Sequence, residues 1–144
     1  ACALIKALFT AEGPVDFHGR YYRLEQAPFA PRCVQRPHPP IMVGGGGEKR
    51  TLRTLARHGD VMNVGGPPEM VRHKIEVLER HCAEVGRDPA KIEYSVQLWV
   101  GDTVDGLREK VIALRDVGAD HAVVSLRRPD PAVLEAVAEA LAEV

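Results

Sequence analysis

Pro39-Pro40-Ile41-Met42-Val43-Gly44-Gly45-Gly46-Gly47-Glu48-Lys49-Arg50-Thr51 reads as a short buried strand, a glycine turn and the start of a helix. Proline cannot donate to a strand ladder, so Pro39 and Pro40 belong just before the strand. Ile41 to Val43 is an unbroken apolar run, as expected of a strand covered on both faces. Four glycines allow positive φ and let the backbone approach a ligand with no Cβ in the way. The first N–H groups of the next helix lack intrahelical partners and carry the positive end of its dipole. Together these features describe either a phosphate cradle or a tight strand-to-helix turn. Two better-known cradles are excluded. Lys49 stands where a G-x-G-x-x-G motif begun at Gly44 needs its last glycine, and no Gly-Lys-Ser/Thr sequence ends the run.

From this stretch onward the chain repeats one pattern four times. Ile41–Val43 leads to a helix near 48–58 with Leu52, Leu55 and Ala56 inward. Val61–Val64 leads through Gly65-Gly66-Pro67-Pro68 to a long helix ending near Val85. The stripe of that helix is Val71, Ile75, Leu78, Cys82 and Val85, a spacing that buries one face. Tyr94–Val100 precedes a helix with Leu107, Val111 and Leu114. His121–Leu126 precedes a last helix with Leu134, Val137, Ala138 and Leu141 inward. Prolines near helix starts and Gly86 and Gly118 just past helix ends agree with these boundaries. Four strand–helix units in series imply parallel strands joined by right-handed crossovers. Their unequal spacing excludes a solenoid repeat. A closed (βα)8 barrel takes about 250 residues, so this α/β chain holds the equivalent of (βα)4, half of one.

Upstream, Leu4, Ile5, Leu8 and Phe9 mark a helix that Gly13-Pro14 should end. Val15 to Leu24 reads as a hairpin turning at His18-Gly19. Residues 25–40 hold five prolines and no periodicity, an extended loop. Two segments result, 1–40 and 41–144. The chain opens at Ala1-Cys2-Ala3-Leu4-Ile5 inside a helical pattern, which reads as the continuation of an earlier stretch.

At 144 residues, 45% hydrophobic and 27% charged, the composition is ordinary for a globular domain. Residues 1–60 carry nine basic and five acidic side chains, and residues 61–144 ten and fifteen. That mild asymmetry suits an anionic ligand but is no nucleic-acid footprint, and 5% aromatic residues offer little stacking surface for bases. Cys2, Cys33 and Cys82 are widely spaced, as expected of reduced thiols in a cytoplasmic protein. No apolar run approaches membrane-spanning length, and no signal peptide is evident.

Several stretches resemble one family. Pro39 to Arg53, then Ala56-Arg57-His58-Gly59-Asp60 and Val61-Met62-Asn63, are similar to the luciferase-like monooxygenase family, most of all to its branch dependent on the deazaflavin coenzyme F420. Gly13-Pro14-Val15-Asp16-Phe17-His18-Gly19-Arg20-Tyr21-Tyr22 and Val85-Gly86-Arg87-Asp88-Pro89 carry the same likeness. The resemblance implies a TIM (βα)8 barrel, of which 41–144 would be the C-terminal half and 1–40 part of the insertion before it. It implies hydride transfer with coenzyme F420 or, alternatively, FMN, and a small-molecule substrate. In the family the glycine turn wraps the cofactor phosphate through backbone amides. That role falls here on Gly45, Gly46 and Gly47 with Gly44 before them. Much of the acid–base machinery would come from the other half, so no catalytic residue is assigned. The open half would be completed by a homodimer or by an N-terminal half-barrel.

Other candidates carry two readings each. Arg50 and Thr51, in the first helical turn, add charge-assisted bonds to a phosphate or form a solvated face. Asn63 ends its strand where barrel active sites lie and touches a flavin ring or makes a structural hydrogen bond. The family often has Gly-Trp-Asn where Val61-Met62-Asn63 stands. Arg127-Arg128, after the last strand, meet an acidic group or cap a loop. His73 and His81 read as surface residues and Trp99 as core or barrel-mouth packing. No metal-ligand spacing is present. The competing functions are a half-barrel without activity of its own and a non-redox fragment binding a sugar phosphate.

Overall fold

In a computed structural model, residues 1–101, 103–127, 130–142 and 144 are described. The chain divides into two compact units, Ala1–Ile41 and Met42–Val144. The first contains helix α1 (Cys2–Thr10) and a hairpin of β1 (Val15–His18) and β2 (Arg23–Ala27). Helix α1 ends at Thr10, before the Gly13-Pro14 expected to stop it, and Ala11 is extended. The Arg32 guanidinium donates to the carbonyls of Ala11 and Glu12, satisfying groups that the helix end leaves open.

The second unit is a four-stranded parallel sheet in strict chain order: β3 (Met42–Gly44), β4 (Val61–Gly65), β5 (Glu93–Val100) and β6 (His121–Leu126). A five-residue π-helical segment, Glu48–Leu52, runs into α2 (Arg53–His58). Then come α3 (Pro68–Val85), α4 (Leu107–Asp116) and α5 (Pro131–Leu141). Pro68 and Pro131 occupy first helical turns, where a missing N–H costs nothing, and Gly86 closes α3 in the left-handed conformation.

Parallel partners in register share a face of the sheet. Val43, Met62, Val64, Val96 and Leu98 face the helices, meeting Leu52, Leu55, Ala56, Val71, Leu78 and Cys82 in the main core. A smaller cluster of Val100, Leu107 and Val137 continues it toward α5. The opposite face carries Met42, Asn63, Ser95, Gln97, Trp99 and Ser125 and is largely polar. Helices on one face only, with strands in chain order, is the arrangement of barrels rather than of doubly wound sheets.

Three expectations need correction. Strand β3 is not covered on both faces, because it is an edge strand and Met42, on the polar face, is 48% exposed. Trp99 is not core: it is 75% exposed on that same face, near the C-terminal end of β5. In α5, Leu134 and Ala138 are exposed, while Val133, Val137 and Leu141 turn inward. No helix among the described residues is long and apolar enough to cross a membrane.

Candidate functional site

The glycine turn joins β3 to the helical run that begins at Glu48. Gly45 takes a φ of +109°, a conformation that L side chains rarely adopt. Its N–H donates to Asn63 O at 2.9 Å, so the middle of β4 fixes the turn through the main chain. The first helical hydrogen bond runs from Leu52 N to Gly47 O at 3.0 Å. The amides of Glu48 to Thr51 precede it, at the helix start where donors lack intrahelical acceptors. Gly44 to Gly47 are all exposed, so the backbone of the turn faces outward uncovered.

Side chains crowd this turn from behind. A Cβ added at Gly47 would fall 2.8 Å from Thr51 Oγ1, and one at Gly46 would fall 3.3 Å from Lys74 Cε. Thr51 is thus folded back against the turn, while Arg50 is exposed on the helical run. Gly66, in the next strand-to-helix turn, has a φ of +135°, and a Cβ there would meet Met70 Sδ at 2.7 Å. That second turn is shaped by packing against its own helix.

Helix α3 supplies a group of polar side chains to the same region, and sequence reading missed it. Lys74 Nζ donates to Glu48 Oε1 at 2.6 Å, and His73 Nε2 lies 3.0 Å from the same oxygen. These two hydrogen bonds, that from Lys74 first, hold the Glu48 carboxyl below its ordinary 4.5, outweighing a smaller upward push from desolvation. His81, expected at the surface, places Nε2 2.8 Å from Glu48 O and is mostly covered. A carbonyl only accepts, so Nε2 carries the proton of that bond. Residues 25 to 33 positions apart make these contacts, a separation at which pairing leaves no local pattern.

Asn63 makes the structural bond that was one of its two readings: Nδ2 donates to Ser95 Oγ at 2.8 Å. Beside it on the polar face, Gln97 Nε2 donates to Ser125 Oγ at 2.6 Å. Ser95 is fully buried, and each amide–hydroxyl pair locks two neighbouring strands. Arg127 is exposed after β6 and donates its N–H to Val100 O at 3.2 Å, while Arg128 lies outside the described residues. No group of three or more His, Cys, Asp or Glu among the described residues is placed to hold a metal ion.

Two of the other stretches quoted for the family resemblance, 56–60 and 85–89, meet one another. Arg87 Nη1 donates to Gly59 O at 2.6 Å and to Leu55 O and Ala56 O at 3.3 Å, capping the end of α2. Arg87 Nη2 also lies 3.5 Å from Asp60 Oδ1. A side chain at Gly59 would collide with Leu55 and come within 2.9 Å of Val43 Cγ2. Arg87, Gly59 and Asp60 therefore form a clasp that sets α2, and with it the glycine turn, against α3.

The luciferase-like monooxygenase family model matches residues 1–142. Among solved structures, an F420-dependent secondary alcohol dehydrogenase in complex with an F420–acetone adduct is 16% identical with a TM-score of 0.82, over 98% of this chain and 59% of that one. The coenzyme F420 dependent tetrahydromethanopterin reductase of Methanopyrus kandleri is 14% identical with a TM-score of 0.75, over 99% and 59%. A riboflavin lyase with modified FMN and riboflavin is 19% identical with a TM-score of 0.52, over 72% and 24%. At these identities the likeness is one of fold. The chain spans 59% of the length of the first two.

Proposed function

Because the chain belongs to the luciferase-like monooxygenase family, we propose that it is the C-terminal (βα)4 half of a TIM-barrel oxidoreductase and grips the phosphate of a flavin-type cofactor, coenzyme F420 or alternatively FMN. The observation that carries the reading is the exposed turn Gly44–Gly47, bent by Gly45 and anchored on Asn63 O ahead of a helix start. Beyond Gly45, whose N–H is taken by Asn63 O, such a turn offers amides to an anion and no Cβ to obstruct it. Arg50 lies one turn away for a charge-assisted bond, and Thr51 Oγ1 sits against Gly47. The cofactor, when bound, supplies the hydride chemistry. The chain's own part is to hold the phosphate and orient the ring over the polar face, where Asn63, paired with Ser95, lies on the strand beside the turn. The substrate is a small molecule, taken up at the C-terminal ends of the strands.

One observation supports incompleteness of the isolated unit. Strands β3 and β6 are edges of a sheet whose chain order suits a barrel, and the fold neighbours are longer. A second set of strands, from another copy or from further chain, would close it. On that reading the unit binds cofactor but turns over only when completed.

The test is a fluorescence titration of the purified chain with coenzyme F420 and with FMN. Saturable binding of one is expected, and Gly46→Val should weaken it about tenfold or more by placing a side chain over the amides. The only neighbour of that new Cβ within 4 Å is the flexible Lys74 side chain, so the fold should survive, as circular dichroism would show. A folded chain that binds neither cofactor would overturn the phosphate-grip reading.

A further inference from the structure

The charge around the glycine turn is arranged for exchange. Glu48 opens the helical run, the position where a negative group complements the helix end. Its carboxylate takes both the Lys74 ammonium and a His73 ring nitrogen on one oxygen, Oε1. Lys74 is held: its side chain is 16% exposed, and its Cδ and Cε lie 3.9 and 3.3 Å from the Cβ position of Gly46. Glu48 is the looser partner, with 42% of its side chain exposed. A half-exposed carboxylate leaves an ion pair for water at little cost. A phosphate monoester carries between one and two negative charges near neutral pH and three acceptor oxygens, more than the carboxylate it would replace.

We propose that Glu48 is an internal stand-in for the ligand anion: it holds Lys74 over the turn until a phosphate monoester enters, and Lys74 then becomes the phosphate's cationic partner. The proposal rests on the phosphate-grip reading and adds to it the residue that supplies the charge. Nζ is one bond beyond Cε, which lies 3.3 Å from the Cβ position of Gly46, so the ammonium stands close beside the turn. Glu48 then has a second function. It prevents the turn from holding a permanent unpaired cation, and it penalises weak anions that cannot displace it.

The experiment compares FMN with riboflavin, which has the same ring and no phosphate, by fluorescence titration of the full chain. Glu48→Gln should tighten FMN about threefold and leave riboflavin unchanged, since a competing charge is removed. Lys74→Met should weaken FMN about tenfold with riboflavin within a factor of two, the loss of one charge-assisted bond, and Lys74→Arg should recover part of it. If the pair were only a brace between turn and helix, Glu48→Gln and Lys74→Met would both weaken FMN. That result, or an unchanged FMN affinity in Lys74→Met, overturns the exchange while leaving the phosphate grip standing. A wild-type chain that binds neither compound, or both equally, overturns the exchange, and one that also fails to bind coenzyme F420 removes the phosphate grip with it.

Discussion

Single residues show most directly what the sequence made legible. The glycines announced themselves because a run of four has few uses other than a backbone-lined turn, and Gly45 does adopt a positive φ. Asn63 was legible as a polar strand residue, although it stands in the middle of β4 rather than at its end; its carbonyl bond to Gly45, which depends on strand register, was not legible. Lys74 and His81 were illegible, since nothing in the spacing of α3 tells that Glu48 waits on the other side of the turn. Of the two readings of Trp99 the core one fails, because apolarity suggests burial while strand alternation places the ring on the polar face. Tyr94 shows how burial, with charged neighbours, sets a testable property. Desolvation first, then the Glu79 carboxylate and the Cys82 thiol, pushes its phenol from 10.0 up to about 12. The unfolded chain ionises this group near 10, whereas the folded chain resists. Tyr94 is thus without effect on stability below pH 10 and costs stability as pH rises toward 12. Urea midpoints measured from pH 9 to 12 should fall more steeply in the wild type than in Tyr94→Phe, and parallel slopes would show the phenol to be solvated.

At the level of elements, clear stripes were read correctly and uniform ones were not. Helix α3 alternates apolar and charged residues so strictly that Val71, Ile75, Leu78 and Cys82 were assigned inward, and all four are buried. Sequence α5, PAVLEAVAEAL, is apolar almost all round, so periodicity fixes no phase, and packing at the end of the sheet selected Val133 and Val137 over Leu134. The run from Glu48 was legible as helix, but its π-helical opening was not. Its bond from Leu52 N reaches back five residues to Gly47 O, the last glycine of the turn. Short helices such as α2 gain little from propensity and depend on tertiary contacts. Here His81 of α3 binds Glu48 O at the start of the helical run, and Arg87, just past α3, binds the carbonyls of Leu55, Ala56 and Gly59 at its end. Removing the guanidinium takes a charged donor from three partly covered carbonyls, of which Leu55 O keeps the Gly59 N–H. Arg87→Met should therefore cost about 1–3 kcal/mol of stability, as for a lost hydrogen bond between a charged donor and covered acceptors. Chemical denaturation measures it, and Arg87→Lys should recover only part, because an ammonium cannot span the same fork. A loss below about 0.5 kcal/mol, the level of an ordinary surface change, would mean that α2 is set by its apolar face alone.

On the scale of the whole molecule, the two faces of the sheet pose the remaining question. One face is buried against helices by aliphatic side chains; the other carries hydrogen-bonded Asn63–Ser95 and Gln97–Ser125 pairs and an exposed Trp99. A face of that composition does not form a dry core, but it suits a barrel interior whose upper layer meets a polar ligand. Chain-order strands were legible from four repeated strand–helix units; how the open edges of β3 and β6 are satisfied was not, since edge pairing depends on strands outside these four. Unpaired edges present free N–H and C=O groups that recruit further strands. If a second copy supplies them, sedimentation velocity should show a dimer forming with concentration, and cofactor affinity should rise in the same range, because closing the sheet completes the site. The coupling is reciprocal: saturating cofactor should then strengthen dimerisation by the same factor as dimerisation strengthens binding. A species that stays monomeric while binding cofactor equally at every concentration would show that the four-stranded unit grips its ligand unaided. The remaining strands of a closed barrel would then serve turnover rather than binding.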